Sequence, residues 1–186
     1  MTRTLRSAAL VALAMIVTTA VAPVAGADHD QRITLSGKTL CDLGVNPKQE
    51  VEMTVEGAVT DAGQTISLTG AAGTVRLNSA VKSLFLLWGA DSVGGAVGKL
   101  PVAASNATPP TIDAAAGQAL PFAKTKLDRD TPEILLNFPA QSTFGAGPFT
   151  RNGSGSVDFT LGGGWDFSVR LFNSAGQPIR DVPCRR

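Results

Sequence analysis

The histidine content of the chain limits the nucleophilic chemistry that it can support. A Ser-His-Asp hydrolase needs a histidine that is held in place to take the proton from the serine. The 186-residue sequence has one histidine, His29, in a polar stretch, and it has no Gly-x-Ser-x-Gly motif. The nearest string, at 153–156, has the wrong register for a nucleophile elbow. The sequence therefore argues against a histidine-dependent hydrolase and predicts no catalytic residue.

Three acidic side chains, those of Asp128, Asp130 and Glu133, form a compact cluster in the sequence. Carboxylate oxygens in a flexible loop are ligands that Ca²⁺ accepts. However, Lys126 and Arg129 lie among the acids, and the spacing of an EF-hand calcium loop is absent. We interpret the cluster as a solvated turn before a strand, with a weak calcium loop as the alternative. No cofactor is predicted.

A carboxylate-dependent hydrolase of extracellular glycans is a second enzymatic hypothesis. Such an enzyme needs two acids on opposite sides of a groove. The 15 acidic residues allow many pairs, and no pair stands out by its position. Glu50, Glu52 and Glu56 fall on the polar side of a predicted strand, which favours contact with solvent. The hypothesis stays open as an alternative.

The tryptophan in the glycine-rich stretch 162–166 is a candidate for ligand recognition. Trp165 and Asp166 lie in a predicted turn at one end of the sheet. A tryptophan there would stack on a sugar ring or anchor a partner protein, so these two residues form a candidate binding surface. In the alternative, the ring folds back over the edge of the sheet, because large aromatic side chains are usually buried. Trp88 is assigned to the core by its spacing from Leu84 and Phe85.

The first 27 residues have the pattern of a signal peptide. Arg3 and Arg6 are followed by an apolar stretch at 8–17 and by a small-residue cleavage site at 25–27. The apolar stretch is too short to predict a membrane span, and no second one follows. The prediction is a leader at 1–27 and one secreted extracellular domain at 28–186, with no transmembrane segment in the mature chain.

The charge balance of the mature chain argues against nucleic acid as a partner. Loss of the leader leaves 14 basic and 15 acidic residues. Binding to phosphates needs a clustered basic excess, which this balance does not provide. A cell-surface glycan or protein is the expected partner class.

The two cysteines of the chain predict one disulfide bond. Cys41 lies near the start of the mature chain, and Cys184 lies close to its end. An isolated pair in an oxidising compartment forms a bridge in most cases, with two buried thiols as the alternative. A metal site is disfavoured because neither thiol has a nearby histidine or cysteine.

The hydrophobic pattern predicts an all-β fold. Val51, Met53 and Val55 alternate with polar residues. The stretches 157–161 and 167–171 repeat this alternation and are interpreted as a meander with the final strand, which carries Cys184. The stretch 79–88 has helical spacing instead, with a cap at Asn78 or Ser79, and a buried strand at 84–88 is the alternative. The glycine-rich stretch 141–155 is interpreted as a connection. The predicted architecture is a two-sheet antiparallel β-sandwich of the immunoglobulin-like type, with one short helix near residues 79–88.

Three features together resemble a domain-of-unknown-function family of secreted actinobacterial proteins. They are Cys41 near the mature start, the Leu-Leu-Trp-Gly-Ala-Asp-Ser-Val-Gly-Gly run at 86–95, and the closing Val-Pro-Cys at 182–184. The resemblance implies a β-sandwich with a cysteine near each end and a setting in the cell envelope or outside the cell. It implies no catalytic residues.

Three functional hypotheses follow. The first is a non-enzymatic secreted module that binds a partner at the cell surface or has a structural role. The second is the carboxylate-dependent glycan hydrolase. The third is a carrier that holds a small apolar ligand between the two sheets.

Overall fold

A computed structural model describes residues 31–43 and 46–184 of the chain, so the leader at 1–27 and His29 lie outside the described residues. The first half contains β1 (Gln31–Cys41), β2 (Gln49–Ala62), β3 (Thr65–Leu77), α1 (Ser79–Leu87), β4 (Ser92–Lys99), β5 (Pro101–Ala104), β6 (Ala107–Thr108) and β7 (Thr111–Asp113). The second half contains β8 (Leu120–Pro121), β9 (Thr125–Lys126), β10 (Ile134–Phe138), β11 (Phe144–Arg151), β12 (Phe159–Leu161), β13 (Asp166–Phe172) and β14 (Pro178–Pro183).

The strands form three antiparallel sheets. The first has the order β1-β2-β3-β11-β6, and β10 also pairs with β3. The second has the order β14-β13-β4-β8, and β9 also pairs with β4. A small third sheet has the order β12-β5-β7. The predicted alternation in β2 is confirmed, because Val51, Met53 and Val55 are fully buried while the residues between them are not.

The two large sheets pack face to face around one hydrophobic core. Phe122, directly after β8, donates its backbone N–H to Gly95 of the second sheet at 2.8 Å. Its ring contacts Phe138 of the first sheet and Phe167 of the second, with centroids 6.0 and 6.1 Å apart. For residues 31–43 and 46–184, the prediction of an all-β sandwich with a single short helix is therefore confirmed, and the small third sheet is an addition to it.

The short helix begins where the sequence predicts. The side chain of Asn78 caps α1 by accepting a hydrogen bond from the Val81 N–H at 3.1 Å. Gly89 follows the helix with a φ of +81°, a left-handed conformation that glycine adopts without a steric penalty. Val81 and Phe85 face the core and are fully buried.

Two interpretations of the sequence are corrected by the strand pairing. The stretch 141–155, interpreted as a connection, contains β11, which lies between β3 and β6 in the first sheet. The sequence also predicts that the stretch 157–161 forms a meander with the last two strands. Instead, β12 pairs with β5, while β13 pairs with β14 and β4.

The last two strands are joined across their exposed face by an ion pair. Arg170 and Asp181 are directly opposite in the register of β13 and β14. Arg170 donates from Nε to Asp181 Oδ1 at 2.7 Å and from a terminal nitrogen to Oδ2 at 3.0 Å. This hydrogen bonding lowers the pKa of the Asp181 carboxyl below its ordinary value. The pair supports the strand that leads directly to Cys184.

The predicted disulfide bond is confirmed. Cys41, the last residue of β1, is bonded to Cys184, directly after β14, with Cα atoms 5.0 Å apart. The bridge therefore links the edge strand of the first sheet to the edge strand of the second. Within the described residues, no helix is both long and apolar enough to cross a membrane.

Candidate functional site

The candidate surface at Trp165 is corrected by the burial of its ring. Trp165 is 4% exposed and stacks on Phe167, with ring centroids 6.1 Å apart. Gly37 on β1 leaves space beside the indole, since a Cβ there would lie 3.6 Å from Trp165 Nε1. A ring in this position has no face to offer a sugar. Asp166 is exposed at the start of β13, and on its own it does not form a binding surface.

Trp88, assigned to the core from the sequence, is partly buried. Its ring stacks on Phe85 at 5.9 Å between centroids, and the Arg180 guanidinium lies 4.1 Å from the ring centroid. The neighbouring Leu87 is 80% exposed, and Ile179 of β14 is 41% exposed. Leu87 is therefore an exposed apolar side chain at the end of α1.

A concave site lies where the chain passes from the second sheet to the first. It is a cleft of about 360 Å³ between α1, β9, the connecting loop and β10. The Thr125 hydroxyl of β9 lies 3.1 Å from the Ala123 carbonyl and 3.3 Å from the Leu135 carbonyl of β10, so the two sheets are in contact beside the cleft. The lining residues are Lys82, Thr125, Lys126, Leu127, Asp128, Thr131, Pro132, Glu133, Ile134 and Leu135.

The loop that closes the cleft has a shape set by its own polar groups. Asp128 accepts a hydrogen bond from the backbone N–H of Asp130 at 2.9 Å, which is the geometry of an Asx turn. The Thr131 hydroxyl lies 3.2 Å from the Asp128 carbonyl and 3.4 Å from the Glu133 carbonyl. These contacts stabilise the turn around Thr131, which contacts Lys82 of the helix.

The helix contributes a buried lysine to the cleft. Lys82 of α1 is 4% exposed, and it is the only charged side chain among the buried polar residues of the described chain. Its ammonium donates to the Thr131 carbonyl, and the Thr131 hydroxyl lies 3.5 Å away. Among the residues that the structure describes, no carboxylate oxygen lies within 4.0 Å of Lys82 Nζ. The cleft therefore has a positive charge in its wall without an acidic partner.

Two of the three acids in the predicted cluster line the same cleft. Glu133 is paired with Arg76, with the Nε and Oε2 atoms 3.5 Å apart, and Asp128 accepts the hydrogen bond of the Asx turn. Asp130 is exposed and is not part of the lining. In the described ranges, 31–43 and 46–184, no group of three or more His, Cys, Asp or Glu residues is arranged to hold a metal ion. The turn interpretation describes this loop, which leads into β10.

Lys82 was missed by reasoning from the sequence. The spacing of Val81, Phe85 and Trp88 defines the buried face of α1, so the pattern predicts only apolar residues there. Lys82 lies three residues before Phe85 and therefore borders the same face. A charged residue beside the apolar stripe of a helix was the available signal, since lysine is rarely buried without a partner.

Replacing Lys82 with methionine is expected to raise the free energy of unfolding by about 1 kcal/mol. The apolar side chain has a similar length and removes a buried charge that has no acidic partner. Thr131 is exposed, so its carbonyl and hydroxyl can bind water in the variant. Urea denaturation of the wild type, Lys82→Met and Lys82→Ala measures the effect. The alanine variant is expected to be less stable than the methionine variant, because it leaves a cavity.

No protein-family model, curated protein or solved structure matches this chain. The function is therefore inferred from the cleft and from the residues that form it.

Proposed function

We propose that the chain is a secreted, non-enzymatic binding module of the domain-of-unknown-function family that it resembles, and that it binds a small ligand in the cleft beside α1. The observation that supports this most directly is the cleft itself, with a volume of about 360 Å³ and a mixed lining. Binding sites for small molecules are concave and largely apolar, with a few polar groups that fix the orientation of the ligand. Leu127, Ile134 and Leu135 supply the apolar wall, and Lys82 and Thr131 supply the polar groups.

Export to the outside of the cell is part of the proposal. The pattern at 1–27 supports it from the sequence. The bridge between Cys41 and Cys184 supports it from the structure, because structural disulfides persist mainly in oxidising compartments. Expression in a host with an export pathway should place the protein in the medium, with a new N-terminus at Asp28. Retention of the full chain inside the cells would contradict export.

The non-enzymatic assignment is supported by how the polar groups of the cleft are used. The Glu133 carboxylate is paired with Arg76, and the Lys82 ammonium is bound to Thr131. The location of the cleft also favours a bound ligand over one carried between the inner faces of the sheets. There, the rings of Phe122 and Phe138 are in contact, with centroids 6.0 Å apart.

A glycan hydrolase is the second candidate, because Asp128 and Glu133 both line the cleft. Such an enzyme would release reducing sugars from cell-wall glycan, and the variants Asp128→Asn and Glu133→Gln would lose this activity while keeping their fold. We expect no release by the wild type. Release that depends on both carboxylates would replace the binding assignment with the enzymatic one.

A fragment screen by nuclear magnetic resonance tests the binding assignment. We expect small apolar and amphiphilic fragments to shift the backbone amide signals of Leu127, Ile134 and Leu135. The variant Leu135→Gln should weaken this binding at least threefold, because Leu135 is in the lining and 46% exposed. Ile179→Gln is the matched control, since Ile179 has a similar exposure of 41% on β14, outside the lining. Fragments that shift no cleft signal, or equal losses in both variants, would contradict the assignment.

A further inference from the structure

We infer that the ligand of the cleft is a small monoanion with an apolar body, whose carboxylate binds the ammonium of Lys82. This inference rests on the proposed binding function and adds the chemical class of the ligand. It is carried by the burial of Lys82, by the contacts of its ammonium and by the residues around it.

The charge of Lys82 has no acidic partner among the described residues. Lys82 is 4% exposed over the whole residue, so its charged side chain is largely removed from solvent. Such burial is costly unless hydrogen bonds and an opposite charge compensate for it. Thr131 provides one carbonyl and one hydroxyl, both neutral acceptors, and the described residues provide no carboxylate within 4.0 Å of the ammonium. The missing negative charge is therefore the feature that a ligand would supply.

Thr131 does not use the whole hydrogen-bonding capacity of the Lys82 ammonium. A lysine side chain has three N–H donors and no acceptor. The carbonyl and hydroxyl of Thr131 account for two of them within the described chain. Because Thr131 is itself in the lining, the Nζ atom that reaches it lies at the wall of the cleft. A carboxylate oxygen of a ligand there would accept the third hydrogen bond and pair with the charge.

The apolar lining and the volume of the cleft indicate the body of the ligand. Leu127 and Ile134 are buried in the wall, and Leu135 and Pro132 are exposed around it. A volume of about 360 Å³ is at the low end of the range for small-molecule sites. The matching ligand is therefore a short aliphatic or aromatic acid rather than a long lipid chain.

The charged residues of the lining limit the number of negative charges on the ligand. Asp128 and Glu133 also line the cleft, so a multiply charged anion such as phosphate would be repelled by two carboxylates. Arg76 offsets the charge of Glu133, and Lys126 adds a positive charge to the lining. This balance accommodates a single negative charge next to Lys82.

Titration with matched probes tests the inference on the disulfide-bonded chain from Asp28 to Arg186. The probes are hexanoate, its neutral analogue hexanamide, and inorganic phosphate, each followed through the amide signals of Ile134 and Leu135. We expect hexanoate to bind at least tenfold more tightly than hexanamide, because its carboxylate forms a charge-assisted hydrogen bond with Lys82. Phosphate is expected to bind more weakly than hexanoate.

The variant Lys82→Met should abolish the preference for hexanoate over hexanamide while hexanamide still binds. Lys48→Met is the control, since Lys48 is exposed and lies outside the lining. It should keep the full preference. Lys82→Arg provides a second variant that retains the charge and should keep at least part of the preference. The folded state of each variant is verified by its urea midpoint before titration.

The two ways in which the experiment can fail are distinguishable. If hexanoate and hexanamide bind the cleft equally, the anion inference is overturned and the proposed binding function stands. The anion inference is also overturned, and the binding function stands, if Lys82→Met keeps the tenfold preference for hexanoate over hexanamide. If neither these probes nor the neutral fragments shift any cleft signal of the folded protein, the binding function itself is overturned, and the inference is overturned with it.

Discussion

Replacing Cys41 and Cys184 together with serine is expected to lower the free energy of unfolding by about 5 kcal/mol. The bridge closes a loop with a sequence separation of 143 residues. In the chain-entropy model, a longer closed loop restricts the unfolded chain more strongly, so the stabilisation is at the upper end of the usual range. Both cysteines are changed at once because a single free thiol would be open to oxidation and exchange.

The position of the bridge adds a structural reason for a large effect. Cys41 ends an edge strand of the first sheet, and Cys184 follows an edge strand of the second. No other disulfide bond links the sheets within the described residues, which contain no further cysteine. Without the bridge, the two edges are held by the shared core and by the hydrogen bonds of each sheet alone.

Urea denaturation of the oxidised wild type and of the double serine variant measures the difference. The reduced wild type is the control, and it should unfold at the same urea concentration as the serine variant, because both lack the bridge. Equal midpoints for the oxidised and reduced wild type would contradict the prediction. A higher midpoint for the reduced protein than for the serine variant would instead assign part of the loss to the serine hydroxyls.

The features that the sequence predicts well are local ones. The alternation around Met53 and the capping of α1 by Asn78 depend on residues a few positions apart, so the pattern alone determines the outcome. The disulfide bond was also predictable, since two cysteines allow only one pairing. In each case the number of alternatives was small.

The strand β11 could not be read from alternation because its pairing is irregular. Phe144, Ala146 and Phe149 are its buried apolar residues, and their spacing changes from two to three. Register shifts between these residues in the pairing with β3 cause the change. Gly147 within it has a φ of +146°, which no regular strand pattern includes. A bulged strand rich in glycine therefore resembles a loop in the sequence.

The cleft could not be predicted because its parts are distant in the sequence. Lys82 and Thr131 are 49 positions apart, and Thr131 lies between β9 and β10, which pair with different sheets. The acids of the loop stand out in the sequence by their close spacing, whereas Lys82, which gives the cleft its buried positive charge, lies on α1. A single sequence contains no signal for that encounter.

A second large effect is expected at Phe138, the last residue of β10. Its ring is 1% exposed and contacts Phe122 at 6.0 Å and Phe144 at 5.9 Å between centroids. Truncation of a fully buried phenylalanine removes these contacts and leaves a cavity, so Phe138→Ala should lower the free energy of unfolding by about 3–5 kcal/mol. Leu135→Ala on the same strand is the control, and it should cost much less, because that side chain is 46% exposed.

The ring of Phe138 lies directly over Gly73, its register partner on β3. A Cβ at Gly73 would lie 2.3 Å from the Cζ atom of that ring, which is far closer than atoms in contact approach. Gly73→Ala should therefore destabilise the wild type by about 1–3 kcal/mol through overpacking. In the Phe138→Ala background the same change should cost little, because the ring that it would meet is gone. A double-mutant cycle by urea denaturation measures this coupling, and additive effects of the two substitutions would show that the glycine is not required by the ring.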